Sequence, residues 1–139
     1  MIRVFSAGVF DFFHEGHRFF LRSAKEYGDQ LFVVISRDEN VLNRKGFLPY
    51  FSEKDRQEKV ISSNVADSVL LGEKKDIFSV VKKINPHILA LGYDQHIPSG
   101  FQEIFPHIRI VQIPSKKPEQ WKSSIFRKKF LEEENSLKD

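Results

Sequence analysis

The sequence predicts one α/β domain, a five-stranded parallel sheet with helices on both faces. Three observations carry that prediction. The chain has 139 residues, the size of a single domain. Apolar strand-like segments alternate with segments of helical periodicity, as in βαβ units. Leu31-Phe32-Val33-Val34-Ile35 is an unbroken apolar run, which suits a strand covered on both faces.

The elements follow in order. Val4-Phe5 sits in the first strand. Arg18–Tyr27 carries Phe20, Leu21, Ala24 and Tyr27 at helical spacing, and Gly28 is expected to stop that helix. The second strand is Leu31–Ile35. Residues 37–51 show no clear periodicity and hold Arg44, Lys45, Gly46 and Pro49, so they read as a long functional loop. Ser52 begins the next helix, with Asp55 in its first turn and Val60 and Ile61 as its apolar side. Ser68–Leu71 is the third strand. Asp76–Ile84 is a helix ended by Asn85-Pro86. Ile88–Leu91 is the fourth strand and Pro98–Phe105 a short helix. Ile108–Ile113 alternates in part, as a half-covered edge strand does. Ser123–Glu134 closes the series with Phe126, Phe130 and Leu131 facing inward, and residues 132–139 are expected to fray.

Composition narrows the function. Hydrophobic residues make up 40% and charged residues 29%, the balance of a globular chain that can bury a core. There is no cysteine, which excludes a thiol nucleophile, a disulfide framework and a Cys-based zinc site. No apolar run approaches the ~18 residues of a membrane span, and no secretory leader pattern is visible. A cytoplasmic, membrane-free protein is expected. The net charge of +3 is too weak a bias to argue for nucleic acid. The basic residues Lys116, Lys117, Lys122, Arg127, Lys128 and Lys129 are interrupted by Glu132-Glu133-Glu134, so no nucleic-acid partner is expected. With 14 Phe beside one Trp and three Tyr, Phe is expected to supply the large residues of the core.

The chemistry concentrates in Gly8-Val9-Phe10-Asp11-Phe12-Phe13-His14-Glu15-Gly16-His17, between the first strand and the first helix. Gly8 is expected to let the chain turn close to a ligand. A helix start offers free N–H groups and a positive dipole end to phosphate. Two imidazoles three residues apart converge there, with Gly16 between them. Two such donors can stabilise charge developing on a phosphate oxygen. Zinc binding of the thermolysin type needs His-Glu-x-x-His at i, i+4, whereas His14 and His17 are at i, i+3. Neither Gly-x-Gly-x-x-Gly nor a Walker A sequence occurs.

That stretch resembles the Gly-Thr-Phe-Asp-x-x-His-x-Gly-His signature of the cytidylyltransferase-like nucleotidyltransferases, and the resemblance covers nearly the whole chain. Arg56 falls where the family has a characteristic Arg near the start of its second long helix. Leu91-Gly92-Tyr93-Asp94-Gln95 falls at its Gly-x-Asp motif. Lys122-Ser123-Ser124-Ile125-Phe126-Arg127 falls at a Ser/Thr-rich helix start. The resemblance implies a Rossmann-like sheet of order 3-2-1-4-5. Within the family, Gly92-Tyr93-Asp94-Gln95, Ser36-Arg37-Asp38 and Arg44-Lys45-Gly46 are most similar to the archaeal FAD synthases, which implies ATP and FMN as substrates. Cytidylyltransferases acting on glycerol 3-phosphate tend to carry Trp where this chain has Gln95. They and the heptose-phosphate nucleotidyltransferases remain alternatives, with CTP in place of ATP for the former. A non-catalytic nucleotide-binding module on the same fold is a further one. Val9 replaces the family's usual Thr, Lys117-Pro118-Glu119 replaces an Arg-Thr-Glu, and Lys122 replaces a hydroxyl residue.

The resemblance assigns roles. His14, His17, Lys45 and Arg56 form the catalytic set. Gly8, Val9, Phe10, Asp11, His14, Gly16, His17, Gly92, Asp94, Lys122, Ser123, Ser124 and Arg127 bind the nucleotide. Mg²⁺ or another divalent cation is expected with the triphosphate, and dimerisation is common in the family. Plain readings stand beside these. Lys45 could be a solvated loop charge, Arg56 a surface helix charge, and Asp11 and Asp94 turn residues. His87, His96 and His107 read as surface or turn residues, His96 being nearest the site.

Overall fold

A computed structural model describes residues 1–114 apart from Lys75 and Ile77. The elements are β1 (Arg3–Gly8), α1 (Glu15–Lys25), β2 (Gln30–Ile35), α2 (Asp38–Lys45), α3 (Glu53–Ser62), β3 (Ser68–Leu71), α4 (Ser79–Ile84), β4 (Ile88–Leu91), α5 (Phe101–Ile104) and β5 (Arg109–Gln112). The strands pair in parallel in the order β3-β2-β1-β4-β5, as expected. The last predicted helix, Ser123–Glu134, lies outside the described residues.

Alternation along each strand splits the core into two layers. Val4, Leu31, Val33, Ile35, Ile88 and Ala90 face one way, against Leu21 and Ala24 of α1 and Val60 of α3. Phe5, Val34, Leu89 and Leu91 face the other, against Val80 and Val81 of α4 and Phe101 of α5. Every residue of β4 is buried, as a central strand requires. The edge strand β5 buries Val111 and leaves Arg109 and Gln112 exposed. At the other edge, the Gln57 side chain donates to the Val69 carbonyl of β3 at 2.9 Å.

Several expectations are corrected. Residues 38–45 form α2 rather than loop. Only Val41 of α2 is buried, so its sequence carries no apolar stripe. Its ends make the helix: Gly46, in the left-handed region at φ 85°, returns its N–H to the Leu42 carbonyl. Helix α1 begins at Glu15, earlier than its apolar spacing suggested. Gly28 does not end it by a left-handed turn. Its place is set by close approach, since a Cβ there would lie 2.8 Å from the Ile2 carbonyl oxygen and from Val4 Cγ2. Helix α4 starts at Ser79, and Asp76 makes the turn before it by accepting the Phe78 N–H at 3.0 Å. Ile61 is exposed, leaving Val60 as the apolar anchor of α3. The large core residues are Phe as expected: among the described residues the buried aromatics are Phe5, Phe10, Phe101 and Phe105, set among Val, Leu, Ile and Ala.

Arg56 is buried, 1% exposed, and joins the loops at the carboxyl end of the sheet. Its Nε donates to the Phe51 carbonyl (3.0 Å), Nη1 to the Val9 carbonyl (2.8 Å), and Nη2 to the Ser36 carbonyl (2.9 Å) and Asp38 Oδ1 (2.5 Å). The α2 and α3 starts also exchange carboxylates. Glu53 Oε1 accepts the Asp38 N–H (3.0 Å), and Asp38 Oδ2 accepts the Glu53 N–H (3.3 Å). Each acid satisfies an orphan donor at the other helix's positive end. Arg37 completes the clasp through Glu53 Oε2 and the Gly72 carbonyl, both at 2.6 Å.

Arg56→Lys keeps the charge but loses the planar fork that serves several acceptors at once. The expected result is destabilisation by about 3 kcal/mol in urea titrations, the scale of breaking a buried charged network. A loss under about 1 kcal/mol would show that the loops are held by other means.

Candidate active site

The β1–α1 turn is built from strained aromatics and two caps. Phe10 and Phe12 take φ of 55° and 51°, in the left-handed region. Each costs ~1–2 kcal/mol for a residue with a side chain. Gly8, by contrast, has no left-handed φ. A Cβ on it would meet the Phe10 ring at 2.9 Å, so the glycine makes room for that ring. The expected turn therefore exists, but Phe10 and Phe12 make it.

His14 is the N-cap of α1. Its Nδ1 accepts the Gly16 N–H at 3.1 Å, and His17 Nδ1 accepts the His14 N–H at 3.2 Å. This is a capping box made of two imidazoles. Both rings use Nδ1 as acceptor, so each neutral ring carries its proton on Nε2. The rings stack with centroids 3.8 Å apart. Phe10 meets His17 edge-on at 5.4 Å and Phe13 stacks on it at 5.5 Å. Arg18 lies over the Phe13 ring at 4.9 Å. Burial, with Arg18 adding repulsion, lowers the His14 pKa to about 4. Burial, then His14 and Arg18, lowers that of His17 to about 3. The pair is neutral at physiological pH.

Asp11 is buried and anchors the approach to α3. Its Oδ2 accepts the Tyr50 N–H at 2.7 Å and its Oδ1 the Phe51 N–H at 3.1 Å. Phe12, Tyr50 and Phe51 form an aromatic cluster with centroids 5.0–5.2 Å apart. Lys45 ends α2. Partial desolvation and Arg44 lower its pKa, while Asp94 and Asp11 pull it up, so both acids lie within its electrostatic reach. Gly92 and Asp94 follow β4. Thus His14, His17, Lys45, Asp11, Gly92 and Asp94 gather at the carboxyl ends of β1, β2 and β4, where ligands bind in open α/β sheets.

The resemblance puts Arg56 in the catalytic set. Of the two readings given for it the surface helix charge is excluded by its burial, and four of its N–H donors already serve Val9, Ser36, Phe51 and Asp38. Lys122, Ser123, Ser124 and Arg127 lie outside the described residues. His87 is structural, its Nδ1 accepting the Arg3 N–H at 3.0 Å. The Asp38–Glu53–Arg37 clasp was missed because it joins residues far apart in sequence. Among the described residues no group of three or more His, Asp or Glu is placed to hold a metal ion.

The cytidylyltransferase-like family model matches residues 5–135. The chain belongs to the cytidylyltransferase-like family. It is 36% identical to the FAD synthase of Thermoplasma volcanium over 137 residues, covering 95% of this chain and 96% of that one. It is 45% identical over 95 residues to the FAD synthase of Methanosarcina barkeri. There it spans 67% of the relative's length, and 62% of the FAD synthase of Methanosarcina acetivorans. A solved structure described as a lipopolysaccharide core biosynthesis protein from Thermoplasma volcanium superposes with a TM-score of 0.78. It is 35% identical and covers 84% of this chain and 99% of that one. A bifunctional NMN adenylyltransferase from Francisella tularensis shares the fold, at TM-score 0.60, 20% identity and coverage of 93% of this chain and 41% of that one.

The histidine pair makes stability pH-dependent. Both folded-state pKa values lie below the unfolded value of 6.5, so the unfolded chain binds more protons as pH falls. Their contribution is complete above pH 6.5 and is lost towards pH 4. The urea midpoint is expected to fall between pH 7 and pH 5, and a His14→Asn, His17→Asn double variant to show a flatter profile. Glu53 and Asp67, whose pKa values are lowered from 4.5 and 3.8, act below this window. Equal slopes in both proteins would contradict buried neutral rings.

Proposed function

We propose that this protein is an FMN adenylyltransferase, joining ATP to FMN with release of pyrophosphate to give FAD. The observation that carries the reading is the imidazole capping box at the carboxyl end of β1, at the same end of the sheet as Asp94 and with Lys45 in electrostatic reach of Asp94 and Asp11. The full-length similarity to an archaeal FAD synthase supports the acceptor. No described helix is long and apolar enough to cross a membrane. ATP and FMN are both soluble, and the reaction is proposed to run in the cytoplasm.

The reaction needs no general base, because a phosphate monoester is already a nucleophile at neutral pH. An oxygen of the FMN phosphate attacks the α-phosphorus of ATP. The bond from that phosphorus to the bridging oxygen breaks, and pyrophosphate leaves with the electron pair. Catalysis is then positioning and charge stabilisation. His14 and His17 offer Nε2–H donors to phosphate oxygens near the bridge. Lys45 brings a full positive charge to the α-phosphate. Gly8, Val9, Phe10 and Gly16 shape the phosphate cradle, and Gly92 and Asp94 flank the nucleoside, Asp94 towards the ribose. Arg56 acts by holding Val9 and Phe51 in place. Lys122, Ser123, Ser124 and Arg127 serve the β- and γ-phosphates. A divalent cation is proposed to arrive with the triphosphate. Phe12, Tyr50 and Phe51 offer flat surfaces to an isoalloxazine ring.

A second reading has one observation in its favour. The Thermoplasma volcanium structure described above is named for lipopolysaccharide core biosynthesis, which suits a heptose-phosphate nucleotidyltransferase. Incubation with each nucleoside triphosphate, Mg²⁺ and either FMN, glycerol 3-phosphate or a heptose 1-phosphate separates the readings by product. FAD and pyrophosphate from ATP and FMN are expected. CDP-glycerol or a nucleotide-activated heptose without FAD would overturn the proposal.

The roles are tested in the same assay. His14→Ala and His17→Ala are each expected to lower turnover about a hundredfold or more, the scale of losing one preorganised donor. Lys45→Ala is expected to be impaired comparably while unfolding at a wild-type temperature. Near-wild-type turnover in the two His variants would remove them from the chemistry.

A further inference from the structure

Strands β1 and β4 separate at the point where the sheet order reverses. Their ladder pairs Val4 with Ile88 and Phe5 with Leu89. On its other side β1 pairs with β2 over its whole length, from Arg3 to Gly8. Both β1 and β4 run on past their last mutual pair, to Gly8 and Leu91. A gap opens there, between the turn that carries His14 and His17 and the loop that carries Asp94.

The side chain of Gln95 spans this gap. Its Nε2 donates to the Ala7 carbonyl of β1 at 2.8 Å, and its Oε1 accepts the Gly92 N–H at 2.8 Å. Its own N–H closes the turn onto the Gly92 carbonyl at 3.1 Å. From the β5 side, Gln112 Nε2 lies 3.2 Å from the Gly92 carbonyl oxygen, 3.3 Å from that of Tyr93 and 3.4 Å from that of Gln95. The turn bearing Asp94 is therefore gripped from both neighbouring strands. One planar amide supplies both the donor and the acceptor that a continuing ladder would have supplied. Glutamate of the same length has no donor when ionised, and methionine offers neither group.

We infer that Gln95 is a positioning residue for the nucleotide. It sets the width of the gap between β1 and β4 and holds Asp94 opposite Lys45, so that a nucleoside triphosphate meets both walls at once. This rests on the reading of the site as a nucleoside triphosphate site. It adds a determinant that touches backbone rather than reacting atoms. Loosening the bracket should weaken the nucleotide's fit while leaving the acceptor side, built around Phe12, Tyr50 and Phe51, largely as it is.

The test compares wild type with Gln95→Glu and Gln95→Met. ATP and CTP are titrated into each protein by calorimetry, and KM is measured for both substrates in the FAD-forming assay. Thermal melting establishes that each variant is folded, and the isosteric Glu variant carries the test if the Met variant melts too low. Affinity for whichever triphosphate the wild type prefers is expected to fall about tenfold in the variants, the scale of one to two lost hydrogen bonds. The KM for FMN should stay within about twofold. A merely structural role would not split the two substrates in this way. Folded Gln95→Glu with wild-type triphosphate affinity would overturn the inference alone. Failure of the wild type to bind any triphosphate would overturn the underlying reading and this inference with it.

Discussion

The buried guanidinium of Arg56 is the interaction on which the site depends. Taking a cation out of water is costly unless its donors and its charge are both answered. Here three backbone carbonyls and the Asp38 carboxylate answer them. Those partners belong to the turn after β1, the end of β2, the start of α2 and the approach to α3. Outside β2, apolar anchoring of these segments is sparse, Phe10 in the turn and Val41 in α2 being their buried apolar side chains. A polar knot therefore does what core packing does elsewhere, and it does so directly beneath the turn that presents His14 and His17. The Asp38–Glu53 exchange and the Arg37 bridge extend the same network to the end of β3.

This foundation explains a division of labour above it. The imidazoles are fixed by one another and by the helix they cap, so they are rigid and uncharged. Lys45 stands at the end of a short helix whose own sequence contributes a single buried residue. Unlike the buried Arg56, it carries its charge on an exposed side chain. Preorganised dipoles on one wall and a longer charged arm on the other suit a reaction in which negative charge moves between phosphate oxygens.

Much of this was legible in the sequence, for physical reasons that differ by element. The central strands were plain because a run such as Leu31–Ile35 has no other economical use than burial on both sides. The histidine motif was plain because its spacing matches a helix start. Helix α2 was not, because its stability comes from Glu53, a residue of the next helix, and from Gly46 rather than from periodicity. The family resemblance points Arg56 at phosphate, and its polar sequence neighbours Lys54, Asp55, Gln57 and Glu58 allow a surface charge as the plain alternative; neither reading contains the backbone partners it has. Only the folded proximity of Val9 and Ser36 shows what it does. The sequence suggests a turn at Gly8 and a helix stop at Gly28, yet both are glycine because another group occupies the space of a side chain. Gln95 stood in a recognised motif, but its partners depend on how far β1 and β4 stay paired.

The edge of the sheet at β3 has a consequence for behaviour at high concentration. An edge strand normally offers free amides and carbonyls to any passing chain, which is how sheets recruit strands and grow into aggregates. Strand β3 is only four residues long, and one of its carbonyls, that of Val69, is already taken by the Gln57 side chain. A strand arriving from another molecule would have to displace that amide to dock in register. The hydrogen bond that reads as a minor detail of α3 packing thus also guards against self-templating along the exposed side of the sheet.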